Sequence, residues 1–188
     1  DLEMSMIESI VYTLTDLEEV KSVSLTVDGE NLNRLPNSNI YIPNILSRTF
    51  GINKNYDITN LDNINGITVY YLNEYNDNYY YVPVTKYVND DRDKIKIIIE
   101  DLTSSNMYKT DLISFINSNT KLLEANLEED KLELIFNSYI LDDFDKRNIL
   151  EEVIETITLS VKDNYDVDEV VFYVEDDEIC KSVIKSIE

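Results

Sequence analysis

The sequence predicts an α+β fold of order β-β-α-β-β-α-β, with two helices packed on one face of a sheet, preceded by the last helix and strand of a first copy. Three observations lead there. First, the chain repeats itself without a gap: Ile7, Ile10, Leu14, Val20, Val23, Leu25 and Val27 fall on Ile154, Ile157, Val161, Val167, Val170, Phe172 and Val174, which marks a duplicated unit. Second, the stretch from Ile67 to Val174 alternates two kinds of apolar pattern, one of period two and one of spacing three and four. Third, both helical stretches are apolar on one side only, so each needs a sheet to lie on.

The elements follow in order. Residues 4–18 read as a helix, because Ile7, Ile10, Val11, Leu14 and Leu17 make one apolar stripe. Val23, Leu25 and Val27 alternate with Ser22, Ser24 and Thr26 as a half-buried strand, and Asp28-Gly29 turns the chain. Residues 1–30 are thus the tail of a first domain. Residues 31–65 are a connector with weak periodicity, carrying a short strand around Ile40–Ile42; Leu46, Phe50 and Ile52 make it too apolar to be a free linker. Residues 66–188 are a second, complete domain. Ile67, Val69 and Tyr71 share one face of its first strand. Asn76-Asp77-Asn78 turns into a strand over Tyr79–Val88, in which Pro83 implies an edge or bulged position. Asp90, Asp91 and Asp93 open a helix buried through Ile95, Ile98, Ile99 and Leu102. Leu123, Ala125 and Leu127, then Leu132, Leu134 and Phe136, alternate around Glu129-Asp130 as a second hairpin. Asp142 or Asp143 caps a helix to about Lys162, and Val170, Phe172 and Val174 form the closing strand. Ile179, Val183, Ile184 and Ile187 suggest a short C-terminal amphipathic helix.

Composition narrows function. Lys and Arg number 16 against 38 Asp and Glu, a net charge of −22. That field argues against nucleic acid and anionic lipid, favours solubility, and suits a basic protein partner. The chain has no histidine, so it lacks the usual neutral-pH base and the commonest zinc ligand. Its one cysteine, Cys180, has neither a disulfide partner nor a histidine to activate it. With 3 Gly and 3 Pro, phosphate-cradling loops are not expected. No apolar run is long enough to span a membrane.

The end of the first copy, Ile10-Val-Tyr-Thr-Leu14 followed by Val20-Lys-Ser-Val23 and Val27-Asp-Gly29, resembles the end of the GerM domain, a family of bacterial sporulation and germination proteins. In the second copy the matching segments are Ile67–Leu72 and Tyr81–Lys86, then the Asp93–Leu102 helix and the Leu123–Phe136 hairpin. Asp176 stands where the pattern has a glycine, and Ile157–Val161 is a looser match. These motifs are core and turn signatures and carry no chemistry. The resemblance implies a non-enzymatic assembly protein outside the cytoplasm, associated with the envelope and often lipid-anchored. It implies protein partners, among them ring-building domains of a channel complex between mother cell and forespore. Self-association fits that role, and any membrane attachment would run through an anchor outside this chain.

No catalytic, cofactor or metal site is expected. Asp163, Asp166, Asp168 and Glu169 lack the spacing and glycine of a calcium loop, and Asp57, Asn60, Asp62, Asn63 and Asn65 read as turn chemistry. The candidate interface is aromatic. Tyr70, Tyr71, Tyr75, Tyr79, Tyr80, Tyr81 and Tyr87 crowd the first hairpin, and Tyr70, Tyr79, Tyr81 and Tyr87 are the expected contact residues for a protein or, alternatively, a cell-wall glycan.

Overall fold

A computed structural model describes residues 2–104 and 111–184. The chain forms two compact units, a first ending at Asn55 and a second beginning at Tyr56.

In the first unit, helix α1 (Leu2–Leu14) is followed by four two-residue strands: β1 (Ser22–Val23), β2 (Thr26–Val27), β3 (Glu30–Asn31) and β4 (Leu46–Ser47). The expected helix over 4–18 stops at Leu14, where Thr15 Oγ1 bonds back to the Val11 carbonyl at 2.8 Å and tighter turns follow at Asp16 and Leu17. The single strand expected over 22–27 is two. Ser22–Val23 pairs with β4, and Thr26–Val27 pairs with β3 across the Asp28-Gly29 turn. Around Ile40–Ile42 there is an isolated bridge, Arg34↔Tyr41, in place of a strand. Ile42 is buried nonetheless, with Leu35 and Leu46. The segment after residue 31 therefore packs as part of the unit.

In the second unit, β6 (Asn65–Tyr75) and β7 (Asn78–Val88) form a hairpin in unbroken register, from Asn65↔Val88 to Tyr75↔Asn78. Asn76 and Asp77 both take positive φ, the conformation of a two-residue hairpin turn. A short strand β5 (Asn55–Asp57) lies on the other side of β7. β7 is thus central, and the edge or bulge expected from Pro83 does not occur. Pro83 stands opposite Tyr70, whose N–H leaves the ladder for Ser160 Oγ at 2.9 Å, so a proline there costs no ladder bond.

Helix α2 (Lys94–Thr103) starts where the acidic residues predict, with Asp93 accepting from the Ile95 N–H. β8 (Leu122–Glu128) and β9 (Lys131–Phe136) make the second hairpin, and β10 (Glu169–Val174) pairs with β9 in parallel. A parallel neighbour requires a crossover, which helix α3 (Glu151–Asn164) supplies. This helix begins later than expected. Asp143 is no helix cap: its carboxylate accepts from the N–H groups of Asp145 and Lys146, closing a turn before α3. The expected C-terminal helix is strand β11 (Asp177–Val183), antiparallel to β10. Positive φ at Glu175 makes the tight turn, so Glu175-Asp176 acts as hairpin punctuation. Ile187 lies outside the described residues.

The strands fall into a three-stranded sheet, β5-β7-β6, and a four-stranded sheet, β11-β10-β9-β8. One core joins Ile67, Val69 and Tyr71 of β6 with the buried stripes of α2 and α3 and with Leu134, Phe136, Val170 and Phe172 of the larger sheet. The open edge of β6 is closed by side chains of α3. Besides Ser160, Asn164 donates to the Thr68 carbonyl at 2.7 Å, and Leu72 exchanges two backbone bonds with Ile113. An edge so covered cannot recruit another strand.

Candidate functional site

The pleat of the β6–β7 hairpin decides where its tyrosines go. Side chains alternate between faces, and the register places Tyr70, Tyr79, Tyr81 and Tyr87 together on the face away from Val69 and Val84. They do not form one exposed patch. Tyr70 is 8% exposed. Tyr87 is half-buried, stacks on Tyr56 with ring centres 5.0 Å apart, and covers Gly66. Tyr81 is half-buried; burial, and then the carboxylates Glu155, Glu152 and Glu151, push its phenol up. Only Tyr79 of the four is well exposed, and it meets Phe115 edge-on at 5.3 Å.

The most exposed rings of the hairpin lie at its tip, Tyr75 and Tyr80 on the Val69 face at 69% and 46% exposed and Tyr79 on the opposite face at 49%. Tyr75 and Tyr80 could be recognised in the sequence by their nearness to the turn. Tyr56 and Phe115 could not, since each lies far along the chain from the ring it meets.

Next to α2, the other face of the hairpin carries a charged cluster that the sequence did not single out. Lys86 of β7 forms an ion pair with Asp101 of α2, and the Tyr71 hydroxyl donates to the same carboxylate. Lys86 and Asp101 border a cavity of about 410 Å³ with Asp57, Asp90 and Glu100. Burial, reinforced by the negative charge of Asp57, raises Asp101 to about 6. Burial also lowers Lys86, with Asp57 opposing. Desolvation thus moves both partners toward their neutral forms. The cluster ties a strand to a helix, and the ordinary account of it is structural.

The remaining candidates resolve into scaffolding. Asn89 accepts from the N–H of Thr59 and donates to the Asp62 carbonyl, which organises the Asp57–Asn65 stretch as a turn. In the Asp163–Glu169 stretch, the Tyr165 hydroxyl accepts from Ile95 N–H at 2.8 Å and donates to Asp93, clamping the start of α2. Cys180 is half-buried, and its thiol is pushed up by burial and then by Glu178. Among the described residues no three His, Cys, Asp or Glu side chains converge to hold a metal, and no helix is long and apolar enough to cross a membrane.

Comparison with known proteins follows the same two-copy division. The Germane family, described as sporulation and spore germination, matches residues 1–33 and 68–180. The spore germination protein GerM of Bacillus subtilis (strain 168) is 31% identical over 170 residues, covering 88% of this chain and 46% of that protein. The chain therefore spans less than half the length of that relative. The solved tandem GerMN domains of the sporulation protein GerM from Bacillus subtilis superpose with a TM-score of 0.83 at 30% identity, over 93% of this chain and 61% of that one.

Proposed function

The chain belongs to the Germane family of sporulation and spore germination proteins, and on that premise we propose that it acts by binding other proteins and not by catalysis. In this reading it stands outside the cytoplasm of the sporulating cell, in the space between mother cell and forespore. There it supports assembly of a channel complex whose partners include ring-building domains. Any hold on a membrane comes from an anchor outside this chain.

The observation that carries the reading is the hairpin tip. Tyr75, Tyr79 and Tyr80 present large ring surface on a rigid ladder, and the turn between them leaves the rings open to solvent. Rigid tyrosines lose little conformational entropy on binding and combine apolar area with a hydrogen-bonding tip. A net charge of −22 selects for a partner with basic character and speeds the encounter. The same rings would stack on a sugar, so a cell-wall glycan is the second reading.

A photo-crosslinking residue at position 80, placed in the protein within its sporulating host, tests the first reading. Adducts with envelope proteins that vanish on Tyr79→Ala support it. Recovery of peptidoglycan fragments without protein adducts would replace it with the second.

A further inference from the structure

The outer strands of the two larger sheets are β6, β5, β11 and β8, and each turns a row of backbone groups away from its one neighbour. Three of them are poor places to add a strand. β6 is closed by side chains of α3 and by Ile113, and β5 is three residues long. β11 carries Lys181, a charge that guards an edge, and a bulge where it faces Phe172 and Tyr173. β8 is different. Its register with β9 slips once, at Leu123, and then runs regularly from Glu124↔Ile135 to Glu128↔Lys131.

The parity of the hairpin fixes which backbone groups of β8 are free. The two-residue turn Glu129-Asp130 makes Glu128 and Lys131 a hydrogen-bonded pair, and along an antiparallel ladder bonded and non-bonded pairs alternate. Glu124, Asn126 and Glu128 therefore bond to β9, and the N–H and C=O groups of Ala125 and Leu127 point outward. Among the described residues no backbone carbonyl takes up those two N–H groups. The side chains alternate as well. Ala125 and Leu127 stand opposite Leu134 and Leu132, on the face that carries the core, yet Leu127 is 59% exposed. Leu123, at the bulge, is 56% exposed. Glu124 and Glu128 lie on the opposite face, both exposed, and Glu128 meets Lys131 at 3.7 Å.

We propose that β8 is a docking edge for an extended segment of another protein, added antiparallel as a fifth strand of the larger sheet, with the pattern basic, apolar, any, apolar, basic. The two apolar residues stand opposite Ala125 and Leu127, exchange backbone bonds with them, and cover the exposed Leu127 side chain. The two basic residues stand opposite Glu124 and Glu128 on the other face. The chain's charge of −22 draws such a segment in and repels an acidic one. A second copy of this chain fits poorly. Antiparallel pairing of two β8 strands about Asn126 sets Glu124 opposite Glu128 twice, and like charges directly opposite are destabilising. The inference rests on the reading that the chain binds proteins, and it uses a surface other than the hairpin tip.

A fluorescein-labelled nine-residue peptide with the central sequence Lys-Val-Thr-Val-Lys, titrated into the 188-residue chain, tests it. Anisotropy should show saturable binding that weakens about thirtyfold when both valine nitrogens are methylated, because the bonds to the Ala125 and Leu127 carbonyls are lost. Glu124→Lys with Glu128→Lys should weaken binding about tenfold, whereas Tyr79→Ala should leave it unchanged. Hydrogen exchange in the unsubstituted chain should slow at the Ala125 and Leu127 amides when peptide is added, while Asn126, already bonded to β9, changes little. Absence of saturable binding, equal binding of the methylated peptide, or unchanged exchange at Ala125 and Leu127 overturns the proposal and leaves the hairpin-tip crosslinks to decide the wider reading separately. Loss of binding in Tyr79→Ala also overturns it, by moving the peptide to the tip. Protection of Ala125 and Leu127 without peptide, rising with protein concentration, overturns it in favour of a second copy.

Discussion

Ser160→Ala isolates the device that closes the β6 edge. Ser160 is fully buried, and its hydroxyl accepts from Tyr70 N–H at 2.9 Å and donates to the Thr156 carbonyl at 2.7 Å. Removing the oxygen takes away the acceptor of a buried backbone N–H, which costs about 1–3 kcal/mol. The Thr156 carbonyl loses far less, because a carbonyl in a helix retains its backbone bond. For a unit of this size, about 2 kcal/mol corresponds to a fall in Tm of roughly 6 °C. The control is Thr103→Ala, which removes a similar back-bond, to Ile99, on which no backbone N–H depends. That change should stay within about 0.5 kcal/mol. Urea denaturation gives the free energies, and hydrogen exchange at Tyr70 against Val69, which faces β7, locates the effect. If Ser160→Ala costs no more than Thr103→Ala, or if Tyr70 exchange is unchanged, the hydroxyl does not hold the edge.

Three further perturbations separate other terms. Asp101 keeps its proton up to about pH 6 when folded, against 3.8 for the ordinary group. Its contribution to stability is therefore fully present below the lower value and is lost as pH rises through the upper one. Relative to Asp101→Asn, the wild type should lose about 2 kcal/mol between pH 4 and pH 7 in urea titrations, and a difference that ignores pH would sink the argument. Gly29 has φ +85° at the β2–β3 turn, so Gly29→Ala should cost about 1 kcal/mol. Gly66→Ala would meet the Tyr87 ring at an ordinary 3.4 Å and should stay within about 0.5 kcal/mol, both changes read by thermal unfolding. Lys54 pairs with the buried Glu8 at 3.4 Å, and burial lowers its amine. Lys54→Met alone should destabilise the first unit by about 3 kcal/mol by leaving that carboxylate its hydrogen bond from Asn53 N–H but no counter-charge, whereas Glu8→Leu with Lys54→Met should recover part of the loss, since it also removes the acceptor of Asn53 N–H; simple additivity in chemical denaturation would refute the coupling.

The second unit is legible in the sequence wherever a pattern is local. Ile95, Ile98, Ile99 and Leu102 mark α2, Asp93 marks its start, and Asn76-Asp77 marks the first hairpin. What escapes depends on partners distant in sequence. Pro83 looks disruptive when its missing N–H is counted against a ladder. That the facing Tyr70 bonds Ser160, 90 residues away, appears only in three dimensions. The region after Val174 reads as helix because Ile179, Val183 and Ile184 match helical spacing by number, yet the Glu175-Asp176 turn is physically the stronger signal. At the candidate site, the sequence locates the tyrosine-rich hairpin but cannot rank its rings. Exposure of Tyr79 and Tyr80, and burial of Tyr70, follow from what packs on each face. The Lys86–Asp101–Tyr71 cluster joins three elements and has no sequence signature.

Helices α1 and α3 carry the same apolar spacing and bury it differently: Ile10 and Leu14 are exposed where Ile157 and Val161 are buried, whereas Val11 is buried like its counterpart Thr158. Periodicity records which face a sequence is built to bury; which face is covered depends on the neighbours present. In α3 both agree, because β6, α2 and the larger sheet close over Val153, Ile157 and Val161. In α1 the neighbours are β1, β4 and the 3₁₀ turn at Arg48–Phe50. They enclose Glu8, Val11 and Tyr12, with Arg48 stacked 3.9 Å over the Tyr12 ring and Lys54 matched to Glu8. Such matching is specific to that side of the helix. The buried side of α1 is thus held by partners specific to it, Arg48 on Tyr12 and Lys54 on Glu8, whereas Val153, Ile157 and Val161 of α3 are held by apolar packing.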